Sequence, residues 1–238
     1  MANLIPLSSR ILYRDSCCAV VNKLKGEAAE GAAQGMVNLP NELLPVLGAN
    51  TELAEAVHRL DVPVTGCSLF ALTKQSLSFL NAAFAEENSI SHPVEKKYWA
   101  IVEKPPFCLP ECQHKELIHW IQTNSKTNKS FAYDKESRGR RKASLHYSIL
   151  GEGENYLFLD ICLHSGRHHQ IRAQLAAAGF HIKGDLKYGA KRSEKGGGIR
   201  LHARSISFPS PSNKNKKISV TADPPEIDNL WEMFLSLS

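Results

Sequence analysis

The sequence predicts an α+β protein with a mainly antiparallel mixed sheet and flanking helices. Short apolar runs, many of them β-branched or aromatic, recur along the 238-residue chain. Two alternating runs, 143–150 and 155–164, are joined through Gly151 and Gly153, which is the pattern of a hairpin. Helical spacing occurs only in isolated segments, so the chain lacks the regular βαβ alternation of a parallel sheet.

Taken in order, "ILYRDSCCAVVNK" (11–23) gives two short apolar runs around a polar turn, as a strand entering a sheet would. Residues 24–54 are small, polar and rich in Gly, Ala and Pro, and read as a loop-dominated insertion. In "EAVHRLDVPVTGCSLFALTK" (55–74) a charged "HRLD" stands at the mouth of an apolar run through Cys67, Leu69, Phe70, Ala71 and Leu72. That run reads as a buried strand, with Asp61 at its edge. Leu77, Leu80 and Phe84 set helical spacing over 75–88. "KKYWAIVEKP" (96–105) is a strand stopped by Pro105. "CLPECQHKELIH" (108–119) reads as a solvent-facing loop passing into a helix. Residues 168–179 predict a helix with Ile171 and Leu175 on one face and Gly179 as its stop. "RLHARSISFPSP" (200–211) is one more strand before a basic loop and an amphipathic tail. The glycines of "EKGGGIR" (194–200) join no strand to a helix, so a flexible turn is the better reading than a phosphate loop.

Hydrophobic content of 42% and charged content of 22% are those of a globular protein. No run approaches the ~20 apolar residues that span a bilayer. The opening "MANLIPLSSR" lacks the basic start and apolar core of a secretory signal, so a cytoplasmic protein without a membrane partner is expected. The six cysteines follow no disulfide framework and are expected as thiols. The net charge of +5 is unevenly placed. Segment 125–142 sets seven cations against Asp134 and Glu136, and segment 183–204 sets seven against Asp185 and Glu194. Clustered cations point to a polyanion, although lysines kept for solubility give the same count.

Three constellations compete for chemistry. Cys108, Cys112, His114 and His119 are zinc-type ligands, but C-x3-C-x-H-x4-H matches no usual zinc spacing, so no metal is expected. Cys67 and Ser68 lie in an apolar run without a nucleophile elbow, which makes nucleophilic catalysis there a weak prospect. The third joins HRLD to "LHSGRHHQIRAQL" (163–175). His168 and Arg172, four residues apart, would share a face near a helix start, and Arg172 could hold Asp61 ionised. A structural salt bridge is the alternative.

The motifs in sequence order resemble the RluA-type pseudouridine synthases. "NKLKG" is similar to that family's N-K-P-x-G turn, and "HRLDVPVTG" to its H-R-L-D-x-x-x-[ST]-G signature. "KKYWAIV", "HSGRHHQIRAQLAAAGFHIKGDLKYG" and "RLHARSISF" resemble the family's later segments, so the likeness spans about residues 11–209. It implies a single catalytic domain over 11–238 behind a 1–10 extension, without the small S4-type domain that many relatives carry in front. The implied reaction isomerises uridine in ribosomal or transfer RNA to pseudouridine with no cofactor. Asp61 matches the essential aspartate, Tyr98 the tyrosine packed on the base, and Arg172 the aspartate's ion-pair partner. Arg59 matches the arginine that enters the RNA stack as the uridine flips out. Arg167, His169 and Gln170 would shape the helix start and meet phosphate or sugar, and Arg138, Arg140 and Arg141 would hold RNA beside the cleft. Leu24, Val64, His168 and His181 depart from the family's usual residues without touching Asp61, Tyr98 or Arg172. Structured RNA is the implied partner of a monomer. An RNA chaperone or scaffold on the same fold is the alternative function.

Overall fold

The computed structural model describes residues 5–85, 94–106, 114–213 and 215–237. In chain order its first strands are β1 (Ile11–Arg14), β2 (Cys18–Lys23), β3 (Glu27–Ala28) and β4 (Val37–Asn38), followed by helix α1 (Leu39–Leu47). Then come β5 (Glu55–Ala56), β6 (Thr65–Ala71), α2 (Lys74–Ala85), β7 (Glu95–Glu103), β8 (His114–Asn124) and β9 (Lys129–Tyr133). The remainder is β10 (Arg141–Glu152), β11 (Tyr156–Leu163), α3 (Gln170–Ala177), β12 (Leu201–Pro209), β13 (Lys217–Thr221) and α4 (Asn229–Leu235). The chain forms two compact units, Met1–Lys96 with Ala203–Pro225, and Lys97–His202 with Glu226–Ser238. Among the described residues no helix is long and apolar enough to cross a membrane.

In the first unit β2 pairs antiparallel with β1 and β6, β5 adds to β6, and β12 pairs antiparallel with β13. Both faces of β2 and β6 are buried, which explains why "CCAVV" and "CSLFAL" read as unbroken apolar runs and do not alternate. Cys18, Val20, Cys67 and Leu69 pack one way, with Leu80 of α2 and Phe208 of β12. Ala19, Val21 and Phe70 pack the other way, against Leu39, Leu43 and Leu47 of α1.

Helix α1 overturns the expectation of a loop over 24–54. Its two prolines hid it. Pro40 stands in the first turn, where no N–H is required, and the Asn38 side chain accepts from Asn41 N at 3.4 Å as the N-cap. Pro45 lies inside the helix, and the stripe Leu39, Leu43, Leu47, buried at i, i+4, i+8, holds the helix in spite of it.

The second unit is an antiparallel sheet in the order β7-β11-β10-β8-β9. The hairpin expected from 143–164 is β10 and β11. The helix expected after 108–119 is instead strand β8. Its inward residues Leu117, His119 and Ile121 are buried while Ile118 is exposed, a period of two that a histidine at a core position disguises. His119 is tolerated there because Gln174 of α3 reaches it, Nε2 lying 3.2 Å from Nδ1 and donating to Leu117 O at 3.0 Å. On the opposite face Trp231 and Phe234 of α4 pack on Trp99, Ile101 and Phe158. β13 likewise occupies part of what reads in sequence as a basic loop.

Gly66 opens β6 at φ +111°, and a Cβ there would stand 2.3 Å from Ala203 O and 2.6 Å from Ala203 N. Both are backbone atoms of β12 and cannot swing aside. Gly66→Ala is therefore expected to cost at least ~2 kcal/mol in strain alone, read as a loss of folded protein in urea titration.

Candidate active site

The HRLD segment divides into two structural and two chemical residues. The ring of His58 accepts the backbone N–H of Leu69 at 3.2 Å and stacks on Phe84 with centroids 5.4 Å apart. Desolvation by burial, aided by Lys96, pushes its pKa down to about 3, so it is a neutral peg at all physiological pH. Leu60 is buried. Arg59 and Asp61, the two that the sequence marks for chemistry, alternate with them and are less buried than Leu60. Arg59 is exposed and meets only the similarly exposed Glu30, at 3.1 Å, in a pair worth at most about 1 kcal/mol. Asp61 begins a turn closed by Val64 N donating to its carbonyl at 3.0 Å, four residues ahead of β6.

The turn is clamped from below by Lys23, a residue the sequence did not single out. Its side chain is completely buried, and Nζ donates to Val64 O (2.7 Å), Leu24 O (2.9 Å) and Val62 O (3.2 Å). Gly26 N also donates to Val62 O, at 2.9 Å. Burial pushes the Lys23 pKa down to about 8, against the pull of Glu27 and Asp61. Glu27 is itself gripped by Arg10, whose guanidinium makes bonds of 2.9 and 2.7 Å to its two oxygens, and it accepts Leu24 N at 2.8 Å. The "NKLKG" turn is thus the support on which the Asp61 turn rests. A lysine closing an apolar strand pattern, with a carboxylate four residues on, was the available signal.

In the second unit Arg172 is buried near the start of α3 and forks onto Asp185, Nε to Oδ2 at 2.7 Å and Nη2 to Oδ1 at 2.8 Å. Its guanidinium also lies 4.9 Å from the Tyr188 ring centroid. The Tyr188 hydroxyl accepts Ser130 N at 2.9 Å and is 2.9 Å from His169 Nδ1. Asp185 and Tyr188 belong to "GDLKYG", so that stretch supplies the counter-charge and the ring that aim Arg172. Neither residue was assigned a role from sequence. Contact with a buried arginine, bidentate for Asp185 and through the ring for Tyr188, is the reason for both. Tyr98 on β7 is buried opposite Ile161, on the sheet face that α3 covers.

The expected pairing of His168 with Arg172 on one helix face does not form. His169 has φ +51°, a left-handed conformation, so α3 starts only at Gln170. His168 instead stacks on His169 at 3.8 Å and meets Ser130 Oγ at 3.0 Å. Gln170 is buried, with Oε1 accepting Ser165 Oγ (2.9 Å) and Arg167 N (3.0 Å) and Nε2 donating to Ser144 O (3.1 Å). Its amide is taken up in shaping the helix entry. Arg167 is half-buried beside that turn, and its Nε donates to Lys142 O at 3.2 Å. Arg138 and Arg141 are exposed, while Arg140 stacks on Tyr133 with its guanidinium carbon 3.6 Å from the ring centroid.

The competing sites fare poorly where they are described. Cys67 is buried, its Sγ set against Val220 O at 3.7 Å and Arg204 O at 3.8 Å, and burial pushes its pKa up to about 12, which removes the thiolate. Ser68 is completely buried. Cys108 and Cys112 lie outside the described residues, as does the side chain of His114. The four described cysteines, Cys17, Cys18, Cys67 and Cys162, are free thiols.

Residues 18–177 match the family model described as RNA pseudouridylate synthase. The chain is 27% identical over 220 residues to an uncharacterised RNA pseudouridine synthase of Zymomonas mobilis, covering 92% of this chain and 94% of that protein. It is 28% identical over 228 residues to ribosomal large subunit pseudouridine synthase C of Buchnera aphidicola, covering 92% of this chain and 68% of the relative. Among solved structures, human RNA pseudouridylate synthase domain containing 4 superposes with a TM-score of 0.72 at 21% identity, over 97% of this chain and 93% of that one, a likeness of fold.

Because His58 stays neutral in the folded chain and titrates near its usual value once unfolded, its contribution is complete above about pH 6.5. It is lost as pH falls towards about 3. The acid-side fall in Tm is expected to be shallower in His58→Gln, which keeps an acceptor for Leu69 N but does not titrate. Equal slopes in a Tm series from pH 7 to pH 4 would contradict this.

Proposed function

The chain belongs to the RNA pseudouridylate synthase family, which isomerises uridine in RNA to pseudouridine, and we propose that Asp61, Tyr98 and Arg172 carry out that reaction here. The product is an isomer of the substrate. The N1–C1′ bond breaks, the detached base turns, and a C5–C1′ bond forms as the C5 proton leaves and N1 regains one. Asp61 acts on the ribose, as nucleophile at C1′ or as base at C2′, and both routes need the ionised carboxylate. Arg172 supplies a positive charge for the reaction, and the Asp185 fork limits its rotation. Tyr98 packs on the base. Its phenol is a weak base at neutral pH, so stacking is its main role.

Arg59 fills the gap left by the extruded uridine. Flipping costs a few kcal/mol, and a planar cation recovers part of it. Its weak, exposed contact with Glu30 supports this role, since leaving that contact costs little. The observation that carries the proposal is the clamped turn of Asp61. A carboxylate held on a turn whose carbonyls converge on a buried ammonium is placed for chemistry, not for solubility.

The substrate proposed first is ribosomal RNA, because curated relatives bear the name of ribosomal large subunit pseudouridine synthase. Transfer RNA is the second. The exposed cations of 125–142, among them Arg138 and Arg141, meet its phosphates. We place the protein in the cytoplasm, in keeping with its free thiols, and as a monomer.

Unmodified ribosomal and transfer RNA transcripts, incubated with the chain and mapped by carbodiimide labelling and primer extension, are expected to show a new stop. Asp61→Asn should lose that stop while keeping RNA affinity. A stop that survives in the variant would remove Asp61 from the chemistry, and binding without any stop would favour a scaffold. Asp185→Asn is expected to reduce single-turnover conversion at least ten-fold with little change in KM. It should also lower Tm, because it leaves the buried Arg172 charge with half its partner.

A further inference from the structure

The sheet of the second unit has a face opposite the one that carries Tyr98 and Arg172, and at its β8–β9 edge aromatic and cationic side chains gather. On β8 and β9 the register sets Trp120 opposite Tyr133 and Gln122 opposite Phe131. These residues alternate with Leu117, His119 and Ile121, so they face away from α3, Tyr98 and Arg172. Lys142 of β10 pairs with Trp120 on this outer face. Phe131 is 41% exposed and Ile118 is 42% exposed, so this edge of the sheet presents apolar surface to water. Phe131 and Tyr133 are two residues apart on one strand, about 7 Å.

Cations surround the rings. Lys129 Nζ lies 5.5 Å from the Phe131 centroid, and Arg140 lies flat on Tyr133 at 3.6 Å. The turn and loop that flank β9 add Lys126, Lys135 and Arg138, all exposed, against Asp134 and Glu136. A protein partner would have to bury several lysines, which protein interfaces avoid at their centres. A polyanion with flat apolar faces answers both features at once. Nucleobases stack on aromatic rings and on guanidinium planes, and phosphates satisfy lysines, without base-specific hydrogen bonds.

We propose that this face binds a single-stranded stretch of RNA, stacking bases on Phe131 and on the Arg140–Tyr133 pair. It is a second contact, distinct from the face that carries Tyr98 and Arg172, and it rests on RNA being the substrate. It anchors a part of the RNA remote from the target uridine. It adds affinity for long substrates and leaves the chemical step alone.

The test uses Phe131→Ala and Phe131→Leu in the full chain, with Lys142→Ala as a charge control. Binding of a fluorescent mixed-sequence single-stranded RNA, and of a duplex of equal length, is followed by anisotropy from 50 to 200 mM salt. Both Phe131 variants should weaken single-strand binding roughly ten-fold, leave duplex binding unchanged, and keep the wild-type salt slope. Lys142→Ala should reduce that slope by about one. With modified-site mapping, Phe131→Ala should raise KM on a long transcript and leave kcat on a minimal stem-loop unchanged. The proposal fails if single-strand affinity is unaltered, or if single strand and duplex weaken equally. It also fails if Phe131→Leu behaves as wild type, since an apolar side chain without a ring would then suffice and a protein or second copy would be the occupant. Retained Tm shows that the variants are folded. Should the wild type form no pseudouridine on any RNA, the catalytic proposal fails, and the oligonucleotide measurements still decide this face separately.

Discussion

The buried ammonium of Lys23 is the constraint on which the Asp61 turn and its surroundings in the first unit depend. A charge with no exposed surface must be surrounded by oxygen, and here the oxygens are the carbonyls of residues 24, 62 and 64. Moving the Asp61 turn would take Val62 and Val64 away from that charge. A buried donor left without its partners costs several kcal/mol, so the turn is held by a penalty and not by packing alone. Burial also lowers the proton affinity of Lys23, and the nearby negative charges of Glu27 and Asp61 restore part of it. The turn aspartate therefore supports the charged form of the strand lysine that holds its turn.

The second unit applies the same physics with other residues. Arg172 is as buried as the core around it, and Asp185, more buried still, takes two of its nitrogens. Buried ion pairs add little net stability, since desolvation offsets their attraction. What they provide is direction. A bidentate fork allows the guanidinium one orientation, and the Tyr188 ring closes it from the side. Tyr188 in turn is fixed through Ser130 of β9, so the aim of an arginine on α3 is tied to the last strand of the sheet. The Asp61 turn and Arg172 thus each depend on a buried charge that is satisfied from its own unit.

Much of this was legible in the sequence, and the exceptions have physical causes. Apolar continuity found β2 and β6, and alternation found β10 and β11, because burial on two faces and on one leaves different patterns. Helix α1 escaped because Pro40 and Pro45 look like breakers, although one sits where a helix start accepts it. β8 escaped because His119 occupies an inward position that only the Gln174 contact across to α3 makes tolerable. Asp61, Arg59 and Arg172 were assigned through motif order. Lys23, Asp185 and Tyr188 were not assigned, since their function lies in contacts with residues distant along the chain. The same limit misplaced His168, whose position turns on a single left-handed residue at 169.

Charge counting from sequence meets the same limit, and resolving it locates the RNA-facing potential. The segments 125–142 and 183–204 carry equal excesses of cations. In the second, Lys183 and Arg200 both engage Glu194, Arg200 also engages Asp228, and Arg204 engages Asp223. Burial pushes the Glu194 carboxyl up, yet these cations pull it below its ordinary value, so the anion stays charged and the cluster stays neutralised. Lys187 is drawn to Asn128 O. The first segment makes fewer such ties. Arg140 is stacked on Tyr133, but Arg138 and Arg141 are exposed. Two stretches alike in composition therefore differ in part: Lys183, Arg200 and Arg204 of one are held by carboxylates, while Arg138 and Arg141 of the other stand at the surface, near the exposed ring of Phe131 on β9.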